Sequence, residues 1–360
     1  MDDAVRTEAI AFIKEWLGSG DGLPSRFALP WEPATTTLSK GSGDVSPARP
    51  AGAKETCMKI GFILPLGEDG DLGRAPTYTE IRNLALQAES AGLDSVWVYD
   101  HLLYRFPERD TMGVQECWSM LSAIAEATER VELGTLVMPT PWRNPALLAK
   151  MAVTVDEISN GRLILGIGTG FHEPEFAAFG YPFDHRVDRF EEALQVIGPL
   201  LREGKVDFHG TYVSAPNCEL LPAPTRPIPI LVAGRGPRML RLTATHADAW
   251  NTAWFGAVDA IAPSRADMDA ACAEVGRDPK TLAVTVGVHV AVPDAADAPP
   301  ADPAKVLSGT PDEIAAAFRA YREAGVDHLI CGALAHTTHA YTTGVIAHVA
   351  AALELYRAEG

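Results

Sequence analysis

A chain of 360 residues, 47% of them hydrophobic, is long enough to bury one large α/β core or two smaller ones. Its 30 Lys and Arg against 47 Asp and Glu give a net charge of −17, which argues against nucleic acid or an anionic membrane as a main partner. The five cysteines (Cys57, Cys117, Cys218, Cys272, Cys331) lack CxxC or ligand-like spacing, no apolar run approaches membrane-spanning length, and the acidic start MDDAVRTE has no secretory n-region, so reduced thiols and a cytoplasmic location are expected.

Residues 1–57 differ from the rest. Val5, Ala9, Phe12, Ile13, Trp16 and Leu17 recur at helical spacing, and Gly18 and Gly20 follow as stops. From Ala34 to Cys57 the chain is rich in Thr, Ser, Gly and Pro with no apolar period, which reads as a linker or tail. Met58 then opens MKIGFILPL, the first strand of a fresh domain. The expected organisation is an extension at 1–57 and one domain at 58–360.

Beyond Met58 one pattern repeats: a helical segment ends on a Gly or polar turn, and a strand follows almost at once. It occurs around Gly92, Arg130, Gly161 and Gly325. Thr77-x-x-Glu80 and Thr310-Pro-Asp-Glu313 read as capping boxes that start helices. The predicted strands are Lys59–Leu64, Ser95–Tyr99, Glu132–Met138, Arg162–Ile167, Pro229–Ala233, Asp248–Asn251, Leu282–Val290 and His328–Cys331. Most are apolar without alternation, as parallel strands covered on both faces are. Alternating β and α over this length predicts a TIM-like (β/α)8 barrel, with an open doubly wound sheet as the alternative.

Four loops hold the candidate chemistry. Asp94–Leu102, DSVWVYDHL, is a buried strand that delivers Asp100 and His101 to an edge, and an imidazole there is suited to moving a proton. Leu163–Phe171 holds Gly166, Gly168 and Gly170; the spacing is a poor dinucleotide fingerprint, since the acid ~20 residues on falls in a predicted helix, Asp188–Leu201. It reads as a plain tight loop or as backbone that a flat ligand approaches closely. Gly234-Arg235-Gly236-Pro237 precedes a predicted helix, Arg238–Thr245, and with Arg235 and Arg238 suits a phosphate, or is a surface turn with solvated arginines. Pro139–Pro145, PTPWRNP, is a rigid loop presenting Trp142 and Arg143, either a connector or one wall of an aromatic-ligand site. His172, Glu173 and Glu175 follow the glycine loop within reach of the mouth, with solvated charges the plainer reading. His336-x-x-His339 lacks nearby acids and reads as a solvated pair, so no metal site is expected. No GxSxG or Walker A motif is present.

Taken together, MKIGFILP, AGLDSVWVYDHL, ERVELGTLVMPTPWRNPALLAK, VDEISNGRLILGIGTGFHEPEFAAFGYPF, RVDRFEEALQVI, PIPILVAGRGPRMLRLTATHADAWN and GTPDEIAAAFRAYREAGVDHLI resemble the bacterial luciferase-like superfamily of flavin- and deazaflavin-dependent oxidoreductases. The resemblance covers residues 58–359 and implies a TIM-like barrel that binds F420 or FMN at the strand C-terminal ends. VWVYDHL with GIGTG is most similar to the F420-dependent branch. By that resemblance Asp100 and His101 face the deazaflavin, with His101 the acid/base or hydrogen-bonding group. Leu136-Val137 falls where the family has a non-prolyl cis peptide behind the ring. Thr169 and Gly170 would contact the ring or ribityl chain, and Gly234, Arg235, Gly236 and Pro237 would hold the phosphate.

Phe62, Trp97, Trp142 and Phe171 are candidate pocket walls, Trp97 with core packing as its better reading, and Glu173 joins them as a pocket residue. Phe171 stands where F420 sugar dehydrogenases of the family carry Glu, which argues against a sugar phosphate and for a more apolar pocket. The resemblance thus implies hydride transfer between F420 and a small or peptide-borne substrate, in a homodimer. An FMN-dependent monooxygenase fed by a reductase is the alternative, and a non-catalytic flavin-binding protein the third. The N-terminal segment, a helix followed by a Ser/Thr-rich stretch ending on Cys57, resembles a ribosomal-peptide precursor. Some luciferase-like F420 reductases act on dehydroamino acids in lanthipeptides, so a precursor–enzyme fusion stands beside a simple extension or a true start at Met58.

Overall fold

The computed structural model describes residues 57–68, 73–107, 109–293, 295, 302, 305–334 and 338–359. The helix expected at residues 5–17, the Ser/Thr-rich stretch before Cys57, and His336 lie outside the described residues. Within the unit Gly52–Gly360, eight strands form a closed parallel ring. They are β1 Lys59–Ile63, β2 Ser95–Val98, β3 Glu132–Thr135, β4 Leu163–Gly168, β5 Ile230–Ala233, β6 Ala249–Ala253, β7 Ala283–Ala291 and β8 His328–Gly332. Each pairs with its sequence neighbours, and β8 pairs with β1 through Lys59 opposite His328. That closure makes the chain a TIM-like (β/α)8 barrel and excludes the open sheet.

The outer helices are α1 Tyr78–Ser90, α2 Cys117–Ala127, α3 Pro145–Ile158, α4 Arg186–Glu203, α5 Pro237–His246, α6 Ala262–Glu274, α7 Pro311–Glu323 and α8 His339–Ala358. Both capping boxes form: Thr77 and Thr310 each accept from the N3 backbone while Glu80 and Glu313 reach back. The glycines expected to end helices do so at positive φ, Gly92 at 83°, Gly161 at 80° and Gly325 at 81°.

Side chains alternate across each strand, so one set faces the helices and the other the lumen. Ile60 and Phe62 of β1 lie in the large strand–helix core with Leu84 and Val349. Phe62 is therefore not a pocket wall: it is fully buried between sheet and helices, because the inward positions of β1 are Gly61 and Ile63. The lumen is filled by Trp97, Leu231 and Ile330 with Ile63, Leu136, Val137 and Ile164.

Trp97 fixes the packing of the lower lumen. A Cβ on Gly134 would sit 2.0 Å from its ring, and one on Gly61 would sit 2.1 Å from the Ser95 hydroxyl, so both positions require glycine. The Trp97 indole N–H donates to Ser95 Oγ at 2.7 Å. The same hydroxyl lies 2.7 Å from His328 Nε2. Burial, with Lys59 nearby, depresses the His328 pKa to about 3 and keeps the ring neutral.

Two departures from the sequence expectations matter for the site. Strand β3 stops at Thr135 rather than Met138, because the Leu136–Val137 peptide is cis; pairing resumes at Met138 opposite Ile167. A hairpin, Lys205–His209 with Ser214–Glu219, follows α4, and a short ribbon, Leu103–Tyr104 with Met112–Gly113, follows β2. Lys205–His209 alternates polar and apolar residues, a period-2 signal that the expected strands leave out.

His328 yields a test. Its folded pKa lies below the unfolded value, so between about 6.5 and 3 the unfolded chain binds a proton that the folded one refuses. Its contribution is complete above the unfolded pKa and is lost as pH falls through this window. Calorimetry from pH 7 to 4 is expected to show a shallower fall in melting temperature for His328→Gln than for the parent. Parallel curves would contradict the assignment.

Candidate active site

The C-terminal ends of the strands build one mouth. Strand β2 ends in Asp100 and His101, and the two are held by different partners. Asp100 is fully buried and receives Arg143, with Nη1 2.5 Å from Oδ2 and Nη2 3.4 Å from Oδ1. Arg143 also reaches Glu116 at 2.7 Å, where Glu116 caps α2. Burial pushes the Asp100 carboxyl up, and Arg143 works against that. Burial alone would lower the Arg143 guanidinium, but Asp100 outweighs it and the net direction is upward.

His101 is held by Glu175. Its Nδ1 lies 3.0 Å from Oε1 and 3.2 Å from Oε2, and the Leu102 N–H donates to Oε2 at 2.9 Å. Glu175 is 1% exposed. A carboxylate accepting from Nδ1 fixes the hydrogen there and leaves Nε2 as the nitrogen free for another partner.

Glu175 comes from the short helix Glu173–Phe179, and the glycine loop explains its position. Gly170 takes φ +72°, and a Cβ there would sit 2.6 Å from the Phe176 ring, so the loop folds flat over Phe176. Arg186 donates to the Gly170 carbonyl at 2.6 Å and covers the Phe183 ring at 3.9 Å. Thr169 is half-buried beside it, and its hydroxyl lies 3.3 Å from the same carbonyl. Glu173, expected in the pocket, is exposed at the start of this helix; two residues on, one helical step turns Glu175 inward instead.

Aromatic rings surround His101. Tyr104 lies 4.5 Å away and Phe171 meets it edge-on at 5.6 Å. Phe171 is 73% exposed, so it forms an apolar rim. Trp142 does not join this wall. It packs against Phe176 at 5.2 Å and Tyr181 at 6.2 Å. Leu136 and Val137 top the lumen, with Val137 against Gly166 and Gly168.

In a ring of eight, β6 stands opposite β2. There Trp254 stacks on His289 of β7 at 4.3 Å and 16°. His289 Nδ1 lies 3.1 Å from the Ala333 carbonyl, and burial lowers its pKa despite that bond. No sequence motif singles out this pair; the available signal is register, since Ala283, Gly287 and His289 share the lumen face of one long strand.

The loop Gly234–Pro237 follows β5. Like α4 and α6, α5 begins without a side-chain cap, at Gly236. Pro237 at its first position has no N–H, so the N–H groups of Arg238 and Met239 are the ones the terminus can offer an anion. Arg235 is exposed above the Phe255 ring at 5.7 Å. Arg238 does not join it: Asp188 at 2.6 Å and Glu191 at 2.5 Å hold it against α4. The open helix terminus, Arg235 and the flat glycine loop fit a ligand with a planar ring and an anionic tail.

Residues 58–302 match the family model described as luciferase-like monooxygenase. The chain belongs to this family. Curated relatives include pyrimidine monooxygenase RutA of Methylorubrum extorquens (strain PA1), 33% identical over 247 residues, which are 63% of this chain and 64% of that protein. The F420-dependent glucose-6-phosphate dehydrogenase of Amycolatopsis mediterranei (strain U-32) is 36% identical over 172 residues, 46% of this chain and 50% of that one. The chain thus spans less than two thirds of the length of these relatives. Among solved structures, an F420-dependent secondary alcohol dehydrogenase in complex with an F420-acetone adduct superposes with TM-score 0.69 at 21% identity, covering 84% of this chain and 99% of that one. Riboflavin lyase with modified FMN and riboflavin gives 0.68 at 16%, over 84% and 92%. Among the described residues no helix is long and apolar enough to cross a membrane, and no metal-binding cluster occurs.

The Asp100–Arg143 pair makes a stability prediction. Arg143→Met leaves a buried carboxylate without its cation, and a loss of ~3–5 kcal/mol is expected in urea unfolding. Adding Asp100→Leu should restore much of it; a double variant no more stable than the single one would contradict the pairing.

Proposed function

We propose that this protein is an F420-dependent oxidoreductase, with residues 58–360 as its catalytic unit. The observation that carries the reading is the His101 imidazole, fixed by a buried carboxylate at the end of β2 in a mouth whose opposite parts suit a flat ring and an anionic tail. Thr169, Gly170 and the Leu136–Val137 segment would border the ring, with Asp100 beneath the β2 end. Gly234, Arg235 and Gly236 would hold the phosphate through backbone N–H groups and the Arg235 guanidinium, with Pro237, which has no N–H, setting the start of the helix. F420, when bound, supplies a two-electron hydride donor or acceptor.

The chain's own residues do the rest. Glu175 holds the hydrogen on His101 Nδ1, which keeps Nε2 available to donate or accept the proton that accompanies hydride transfer. Asp100 and Arg143 neutralise each other and fix the β2 terminus, so His101 does not wander from its position. Phe171 and Tyr104 cover the imidazole and exclude water from one side. Phe171 also favours an apolar substrate, either a small organic molecule or a residue carried on a peptide such as a dehydroamino acid. Solved relatives with F420 share the fold, and a curated F420-dependent relative shares 36% identity over its matched stretch.

An FMN-dependent monooxygenase is the second reading, favoured by the 33% identity to RutA over 247 residues. Titrating the apoprotein with each cofactor separates the two. F420 is expected to bind at ~10 µM or tighter and FMN at least about tenfold more weakly. Tight FMN binding without F420 binding would overturn the first reading. Arg235→Ala should weaken F420 binding about tenfold, consistent with loss of one charge-assisted contact.

A further inference from the structure

A cavity of about 290 Å³ lies away from His101, between the loop that follows β3, helix α4 and the Lys205–Glu219 hairpin. Its walls are aromatic: Trp142, Tyr181 and Tyr212 line it. Arg143 and Arg189 also line it. Asp100 and Glu116 neutralise Arg143, so Arg189 is the cation that an anionic ligand would meet.

The walls are built rather than incidental. Glu192 of α4 accepts the N–H groups of Thr211, Tyr212 and Val213 at 2.7, 2.7 and 2.8 Å, which fixes the hairpin turn at the cavity edge. Arg189 lies flat over the Tyr212 ring at 4.5 Å. Its Nε donates to the Asp184 backbone carbonyl and its Nη2 to the exposed Asp184 carboxylate, both at 3.1 Å; the second is a solvent-exposed pairing that an incoming carboxylate can exchange at small cost. Asn144 spends its oxygen capping α3. Two buried wall residues have polar atoms without a hydrogen-bond partner, Thr140 Oγ1 and Trp142 Nε1. Trp142 is 5% exposed and Thr140 2%.

We propose that this cavity is a second ligand site, separate from the mouth, that takes a small aromatic carboxylate. The ring lies among Trp142, Tyr181 and Tyr212, and the carboxylate pairs with Arg189. The volume, near the lower end of ligand sites, limits the occupant to a single-ring compound. Ligand binding here touches the catalytic side at two points. Trp142 packs on Phe176 of the helix that carries Glu175, and Arg143 grips Asp100.

The test uses the full chain and benzoate as probe, followed by the indole N–H resonances, with Trp142→Phe assigning the relevant peak. Benzoate is expected to move the Trp142 signal saturably below ~10 mM, and benzamide to bind at least about tenfold more weakly. Arg189→Gln should cost benzoate about tenfold in affinity while leaving the F420 titration unchanged. Ser214→Trp, at the exposed rim, should fill the cavity and abolish the benzoate response in a protein with parental melting behaviour. No movement of the Trp142 signal, equal binding of benzamide, or an unaltered response in Ser214→Trp would overturn the proposal. None of these outcomes depends on which cofactor the mouth takes.

Discussion

One buried carboxylate ties the mouth together. Glu175 belongs to the short helix after β4, yet both of its hydrogen-bond partners, His101 and the Leu102 N–H, belong to the end of β2. Without a partner, a carboxylate that is 1% exposed is among the costliest groups a fold can bury. The helix therefore has a single acceptable seat, and His101 a single orientation. Everything that steers Glu175 into place lies beneath it: Gly170 folded flat at positive φ, Phe176 against that glycine, and Arg186 on its carbonyl.

The barrel below supplies rigidity of a different kind. Trp97 fills the lower lumen, and Gly61 and Gly134 make room for it. The Trp97–Ser95–His328 chain satisfies the polar atoms that this packing buries. At the top of the lumen the inward positions turn small, with Gly168, Ala233, Ala253, Gly287 and Gly332 on five consecutive strands. Val137 and Trp254 settle over two of these glycines. The lower half is thus a packed plug and the upper half a floor for the site.

Much of this is legible in the sequence. Eight apolar runs, four of them entered from a helix ending on Gly or a polar turn, are enough to order the barrel, because that pattern suits parallel strands buried on both faces. Asp100 and His101 are legible because they end such a run. Phe62 is misplaced by sequence because an unbroken apolar run conceals which of its residues face inward; only register across β1 and β8 decides that. Glu173 stands in for Glu175 because the direction of a short helix after a glycine loop depends on Phe176 meeting Gly170, a contact with no sequence period. A rigid loop suggests that Trp142 faces the mouth, but its ring packs against Phe176 and Tyr181 instead. His289 on β7 and Trp254 just past β6 lie 35 residues apart, and only ring closure brings them to the side opposite His101.

The central claim is that Glu175 dictates which nitrogen of His101 carries the hydrogen. Imidazole ¹⁵N spectroscopy, with His101→Gln assigning the signals, measures this directly. For the neutral ring, the account predicts a His101 protonated at Nδ1 with Nε2 bare, and a shift toward mixed tautomers in Glu175→Ala. A His101 protonated at Nε2 alone, or a tautomer unmoved by Glu175→Ala, would contradict it.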